Sequence, residues 1–260
     1  MRIAVVSSLK DIAGTAIMSC LRQSALPNYV GLHEIESETI LSDNLDRQID
    51  ADLFIFATRH QSSSGKPSLS CHAPGNWQKA EAGGIDRKLC IAPALLLKHA
   101  FLELSKRANG MPFEVTLECT HHGPFLEKPA MFIEIGSSEA QWKDKNAAEL
   151  IAGIIKEMAK GIDAIMQSNF EIGFGIGGTH YCSTFNKIVQ RTSIALGHIC
   201  PKHMLEKLDR SMIEQAMKKT IPEAKFAVLD WKGLGKEKQR IVDMLNEAGI
   251  SFRRSDKLLR

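Results

Sequence analysis

Six of the nine histidines in this chain stand beside other groups able to move a proton or hold a cation. They fall in "RH" (59–60), "CHAPGNW" (71–77), "ECTHHGP" (118–124), "GGTHY" (177–181) and "GHICPKH" (197–203), giving His60, His72, His121, His122, His180 and His198. Imidazole changes charge near neutral pH and is the commonest protein ligand for metals, so these are the first candidates for general acid–base or metal chemistry. The densest stretch, Glu118–His122, holds a carboxylate, a thiol, a hydroxyl and two imidazoles, and Gly123-Pro124 follows at once. Neighbours on a strand point to opposite faces. His121 and His122 therefore reach one site only where the strand has ended, and Gly-Pro ends it. Glu118 is placed to orient an imidazole from behind. Glu134, inside the apolar run "FIEIG" (132–136), needs a histidine, a metal or backbone donors, because a buried lone carboxylate is costly.

Other motifs weigh less. "GFGIGG" (173–178) matches G-x-G-x-x-G in form, but "THYCSTF" follows instead of an apolar helix start, and the ribose-binding acid is missing where His198 stands. The glycines fit close backbone approach to a ligand better, with the N–H groups of Gly177, Gly178 and Thr179 serving as an oxyanion hole. The chain has no P-loop, no G-x-S-x-G and no H-E-x-x-H. Asn76 is suited to bind a substrate carbonyl or amino group, and Trp77 is either a core anchor or a surface on which a base stacks. The cysteines at 20, 71, 90, 119, 182 and 200 form no C-x-x-C pair and read as reduced thiols.

The elements that must position these residues alternate. Apolar runs at 2–7, 52–58, 114–120, 131–136, 171–177 and 225–230 read as strands, the first two covered on both faces. Helical periodicity marks 94–108, 146–166, 211–219 and 236–249, with Ser138 and Gln141 as a capping box for the second and Gly249 closing the last. This predicts an α/β fold with a mixed, mostly parallel central sheet flanked by helices. We expect one domain over residues 1–260, with 200–260 as a smaller basic lobe, and "RHQSSSGKPSLS" (59–70) as a long loop. Ligands of open α/β sheets sit at the carboxyl ends of strands, so the polar clusters are expected to share one rim.

At 260 residues, 44% apolar and 24% charged, the composition is that of a globular protein. No apolar run reaches the roughly 20 residues of a membrane span, and "MRIAVVSSLKD" reads as a first strand rather than an export signal. A cytoplasmic monomer is expected. Residues 201–260 hold 14 Lys and Arg against 9 Asp and Glu, while residues 1–200 hold 19 against 21. A basic segment beside a mildly acidic body suits an anionic partner such as RNA.

In order and spacing, "RH", "CHAPGN", "ECTHHGP", "FIEIGSSEAQW", "GIGGTHY" and "GHICPKH" together resemble the archaeal and plant type of D-aminoacyl-tRNA deacylase, from the first strand to about residue 205. The resemblance implies hydrolysis of the ester joining a D-amino acid to the acceptor end of tRNA, a fold similar to peptidyl-tRNA hydrolase and the phosphorylase/hydrolase-like proteins, and Zn(2+) as cofactor. "CHAPGN" departs from the family's "VHTPGN", so Cys71 is not expected as a ligand. On this reading His121, His122 and His180 form the catalytic or metal-binding centre with Glu134. Glu118 stands behind them, and Arg59, His60, His72, Asn76, Gly177, Gly178 and Thr179 bind substrate. A metal and a histidine acting directly on water both remain open. The rival readings are a zinc-dependent peptidase or amidase and a non-catalytic tRNA-binding module.

Overall fold

Strand β1 (Ile3–Ser8) is buried at all six positions and pairs in parallel on both sides, with β2 (Val30–Ile35) and β3 (Leu53–Gln61). The computed structural model that shows this describes residues 1–63 and 65–260. The same sheet continues through β4 (Ser68–His72), β6 (Glu114–Leu117) and β7 (Ala130–Ser137) in the order β2-β1-β3-β7-β4-β6, while β5 (Ala92–Pro93) lies apart. β3 and β7 are parallel; β4 runs antiparallel to β7 and parallel to β6. One face is apolar throughout. Its Ile3, Val5, Ile55, Met131, Ile133 and Ile135 pack beneath α1 (Ile12–Arg22), α2 (Ala94–Arg107) and α4 (Lys145–Lys160). Gly14 lets α1 lie close, because a Cβ there would collide with Ser7 and the carbonyl of Ala57. Asp11 caps that helix through Gly14 N–H, and its second oxygen takes the N–H of Arg59 on β3.

Two short helices, α3 (Glu139–Trp142) and α5 (Ile162–Met166), flank α4. The capping box of Ser138 and Gln141 opens α3, not the long helix, which starts separately at the Asp144 cap. A second sheet follows, built from β8 (Glu171–Gly178), β9 (Ile194–Pro201), β11 (Phe226–Leu229) and β12 (Phe252–Arg254), all parallel in the order β12-β11-β8-β9; β10 (Thr220–Ile221) pairs with β5. The core of the first sheet continues into it through Ile172, Ile194 and Val228. Its far side packs under α7 (Arg210–Lys218) and α8 (Lys238–Glu247), with α6 (Ser183–Arg191) and α9 (Ser255–Leu258) completing the helices. Strands from either side of residue 200 thus share one sheet, β11 pairing with β8. The stretch 59–70 is not one long loop: β3 extends to Gln61, β4 starts at Ser68, and Ser64 lies outside the described residues.

Two buried cationic or basic side chains pin the parts together. The Lys98 ammonium donates to the carbonyls of Val189, Thr192 and Ile194 at 2.6, 2.9 and 3.0 Å, joining α2 to the end of α6 and the start of β9. His198 on β9 is fully buried; its Nε2–H donates to the carbonyls of Cys90 (3.0 Å) and Lys219 (3.2 Å). Its Nδ1 therefore accepts the hydroxyl of Thr120 at 3.1 Å.

Lys98→Met keeps the aliphatic stem and leaves three carbonyls unmatched, so urea denaturation should show a loss of about 3 kcal/mol. A loss under about 0.5 kcal/mol, the size of an ordinary surface substitution, would dismiss the pin. Burial pulls His198 down to about 4, against the carbonyl bonds that favour its charge. Below its ordinary value near 6.5 the unfolded chain gains a proton that the folded chain refuses until about pH 4. Stability is thus whole above pH 6.5 and falls by about 3 kcal/mol as pH drops through that window. His198→Asn should flatten this part of the pH–stability curve; an unchanged slope would assign it elsewhere.

Candidate active site

On the sheet face opposite α1 and α4, alternate residues of neighbouring strands stand side by side. Phe56 stacks on Phe132 at 4.7 Å, and Leu126 and Cys90 share their cluster. Further along, the same face turns polar: Thr58 is level with Glu134, Glu134 with Ser70, and His60 with Gly136. The site occupies this face, where strands run in both directions. The expected common rim of carboxyl ends is corrected accordingly, because β4 brings His72 level with Phe132, early in β7. His60 still lies near the carboxyl end of β3, His72 ends β4, Glu118–His122 follow β6 and His180 follows β8, but with β4 and β6 opposed to β3 and β7 these ends converge over the sheet face and not along one edge.

Residues 118–122 join the two halves. β6 ends at Leu117, and each following backbone group is taken by a different segment. Glu118 N–H donates to Cys71 O (3.2 Å), Cys119 N–H to His180 O (3.0 Å) and Thr120 N–H to Ile199 O (2.9 Å). The buried Trp77 indole N–H holds Thr120 O at 3.1 Å, which makes Trp77 a core anchor. His122 then adopts the left-handed region, φ 44°. That breaks the strand alternation and sets both imidazoles on one side, 4.2 Å apart. His72 lies 4.4 Å from His121 and 4.9 Å from His122, and His180 lies 4.9 Å from His121.

Two carboxylates form the floor. Glu134 Oε1 accepts the Thr58 hydroxyl (2.8 Å), and its Oε2 lies 3.6 Å from His60 Nδ1 and 3.5 Å from His72 Nε2. Glu118 meets His60 Nδ1 at 3.2 Å, His180 Nε2 at 3.0 Å and His121 Nε2 at 3.6 Å. Burial penalises both charges and each carboxylate repels the other, yet the imidazoles hold both below the usual range, Glu134 well below. In return, burial lowers His60 but Glu134 and Glu118 outweigh it and raise it to about 9. The approach of Glu118 likewise raises His180. His121 and His122 go the other way. Burial, with the crowding of further imidazoles, pushes His121 well down and His122 to about 4. His60 is therefore a cation at neutral pH, His180 is shifted toward its charged form by Glu118, and His121 and His122 are neutral.

The tautomers follow from the carbonyls. Nδ1 of His121 meets Cys119 O at 2.7 Å, that of His122 meets Gly123 O at 2.6 Å, and that of His72 meets Ala73 O at 3.2 Å. A carbonyl only accepts, so these Nδ1 atoms carry hydrogen, and the neutral rings of His121 and His122 present Nε2 lone pairs. A ligand nitrogen from each of His72, His121 and His122 lies within 4.8 Å of the others, and a second group joins His72, Glu118 and Glu134. His72 Nε2, both oxygens of Glu118 and Glu134 Oε2 are buried without a hydrogen-bond partner. Converging lone pairs of this kind call for a proton or a cation, and the nitrogen–oxygen donor set fits a divalent metal.

Of the other expected residues, Arg59 lines the cavity and reaches Glu38, and Asn76 lies in a neighbouring cavity but spends its amide on Gly83 O (2.9 Å). Gly177, Gly178 and Thr179 lie outside the lining of both cavities. Gly177 holds φ 104°, a backbone that favours glycine, and a Cβ at Gly178 would press on the Phe185 ring, so local structure accounts for both glycines. His198 is structural. The sequence reading missed Thr58, Tyr181, whose hydroxyl lies 3.3 Å from His60 Nε2, and the cavity residues Asp11, Glu38 and His203. Thr58 and His60 were signalled by "FATRH", where Phe56, Thr58 and His60 alternate onto one face.

Residues 47–253 match the D-aminoacyl-tRNA deacylase family. A D-aminoacyl-tRNA deacylase of Cenarchaeum symbiosum is 36% identical over 83% of each chain, and one of Pyrococcus furiosus is 36% identical over 83% of this chain and 80% of that one. A crystal structure described as a conserved protein of unknown function is similar over 99% of this chain and 96% of its own, with TM-score 0.88 and 29% identity. With the match covering most of its length, this chain belongs to the D-aminoacyl-tRNA deacylase family.

Proposed function

We propose that this chain hydrolyses the ester between a D-amino acid and the terminal ribose of tRNA, and that it does so at the histidine–glutamate cluster. One observation carries the location: two ionised carboxylates, two imidazoles drawn toward their charged form and two neutral ones converge where the sheets meet. An aminoacyl ester is already activated, so its hydrolysis needs a deprotonated water and a charge beside the developing oxyanion. Glu134 Oε2 is buried and free to accept the proton of water as it adds to the carbonyl carbon. His180, the imidazolium whose side chain is 41% exposed, faces the oxyanion and returns a proton to the ribose oxygen as the ester bond breaks. His60 holds both carboxylates in place. His72, His121 and His122 are the residues that would hold Zn(2+), which supplies Lewis acidity at the carbonyl and makes water more acidic. A charged-tRNA substrate suits a cytoplasmic enzyme. No helix among the described residues is long and apolar enough to cross a membrane.

Purified protein given D-Tyr-tRNA and L-Tyr-tRNA should release only the D-amino acid, and equal rates on both would sink the proposal. Prior dialysis against a chelator should remove stoichiometric zinc, read by elemental analysis, together with turnover. Glu134→Gln should lower kcat by about 10²–10⁴. In the same variant the His60 titration should move down from about 9, since its largest favourable contact is gone. Full activity in Glu134→Gln would hand the base role to another group.

A further inference from the structure

Two cavities meet at the cluster, and their chemistry differs. One of about 340 Å³ carries Asp11, Glu38 and Glu134 beside Arg59 and His60; the other, about 260 Å³, has Trp77, Pro201, His203 and Met204 in its walls, with Lys79 and Glu81 also lining it. His121, His122 and His180 line both. We infer that the cavities divide the substrate. The first receives the aminoacyl group with its ammonium against Glu38, the second receives the 3′-terminal adenosine against Trp77 and Met204, and the ester lies over the three shared imidazoles. This rests on ester hydrolysis at this site.

The carboxyl groups of the first cavity are not equally available. Asp11 already accepts from Gly14 and Arg59, and Glu134 from Thr58. Among the described residues Glu38 is held by two long contacts from Arg59 Nη2, at 3.3 and 3.4 Å, and its side chain is 36% exposed. It keeps lone pairs for an ammonium, which brings three donors and no acceptor. Adenine is flat and uncharged. It suits the apolar walls of the second cavity, where Met204 offers a deformable thioether and His203 an exposed ring. The nucleoside and the amino acid are joined by one ester linkage, and the wall that the two cavities share among the described residues is the three imidazoles of His121, His122 and His180.

Three measurements test the division. In wild type, adenosine should inhibit D-Tyr-tRNA hydrolysis competitively, and Met204→Trp should raise KM about tenfold and weaken that inhibition alike. Wild type should prefer D-Tyr-tRNA to the D-hydroxyacyl ester of the same side chain, in which a hydroxyl replaces the ammonium. Glu38→Gln should shrink that preference about tenfold, the worth of a charge-assisted hydrogen bond. Absence of adenosine inhibition overturns the nucleoside half, and equal wild-type rates on amino and hydroxy esters overturn the ammonium half. In both cases D-over-L turnover survives; its loss in wild type would instead remove the ester-hydrolysis reading beneath.

Discussion

Two carboxylates buried side by side on a sheet face are the constraint on which this architecture turns. Glu118 and Glu134 are 2% and 3% exposed, and each makes the other's charge more costly. In a medium of low polarity such a pair survives ionised only with cations against it. The first sheet supplies one, His60, which touches both carboxylates. The second, His180, comes from past the end of β8, so the second sheet must dock for the pair to stay charged. The stitching of 118–120 onto Cys71, His180 and Ile199 does that docking with backbone hydrogen bonds. Fold and charge balance are one problem here.

That balance also settles how the two adjacent histidines divide from the others. The carboxylates can keep only so many imidazoles protonated. His60 and His180 lie closest to them, and the crowded rings of His121 and His122 are left neutral by burial and by one another. With Nδ1–H committed to carbonyls, their Nε2 atoms are ligands or acceptors rather than acids. In the reaction proposed above, His180 gives the proton and Glu134 takes it, so the proposed acid and base come from different sheets.

Much of this was legible in the sequence, for identifiable reasons. Apolar β-branched runs disclosed β1, β3, β7, β8 and β11, and the clusters after or within them named the histidines and both carboxylates. β4 escaped although "SLSCH" alternates, Leu69 and Cys71 facing the core and Ser68, Ser70 and His72 the site: with small polar residues at the inner positions and "QSSSGKP" just before it, the short run reads as the end of a loop. β9 hid for a different reason: its glycine and histidine interrupt the apolar run, Gly197 because Thr220 leaves no room for a Cβ, and His198 because it braces the core. Direction was out of reach altogether. Nothing local says that β4 opposes β7, which is why a rim of carboxyl ends looked plausible where a sheet face is the truth.

The glycine run "GFGIGG" shows how a motif and its physics come apart. Its spacing is that of a phosphate-binding turn, and an anion-binding role for its N–H groups was a reasonable expectation. In the fold the glycines let β8 lie against Phe226, Phe185, Ile199 and Leu234, residues of the second sheet and its helices. Close packing of β8 fixes where the strand ends, and therefore where His180 stands relative to Glu118. A side chain added at Gly175 or Gly178 would press on Phe185 and displace that end. The run thus serves the reaction at one remove, through the position of the imidazolium that keeps the buried carboxylates charged.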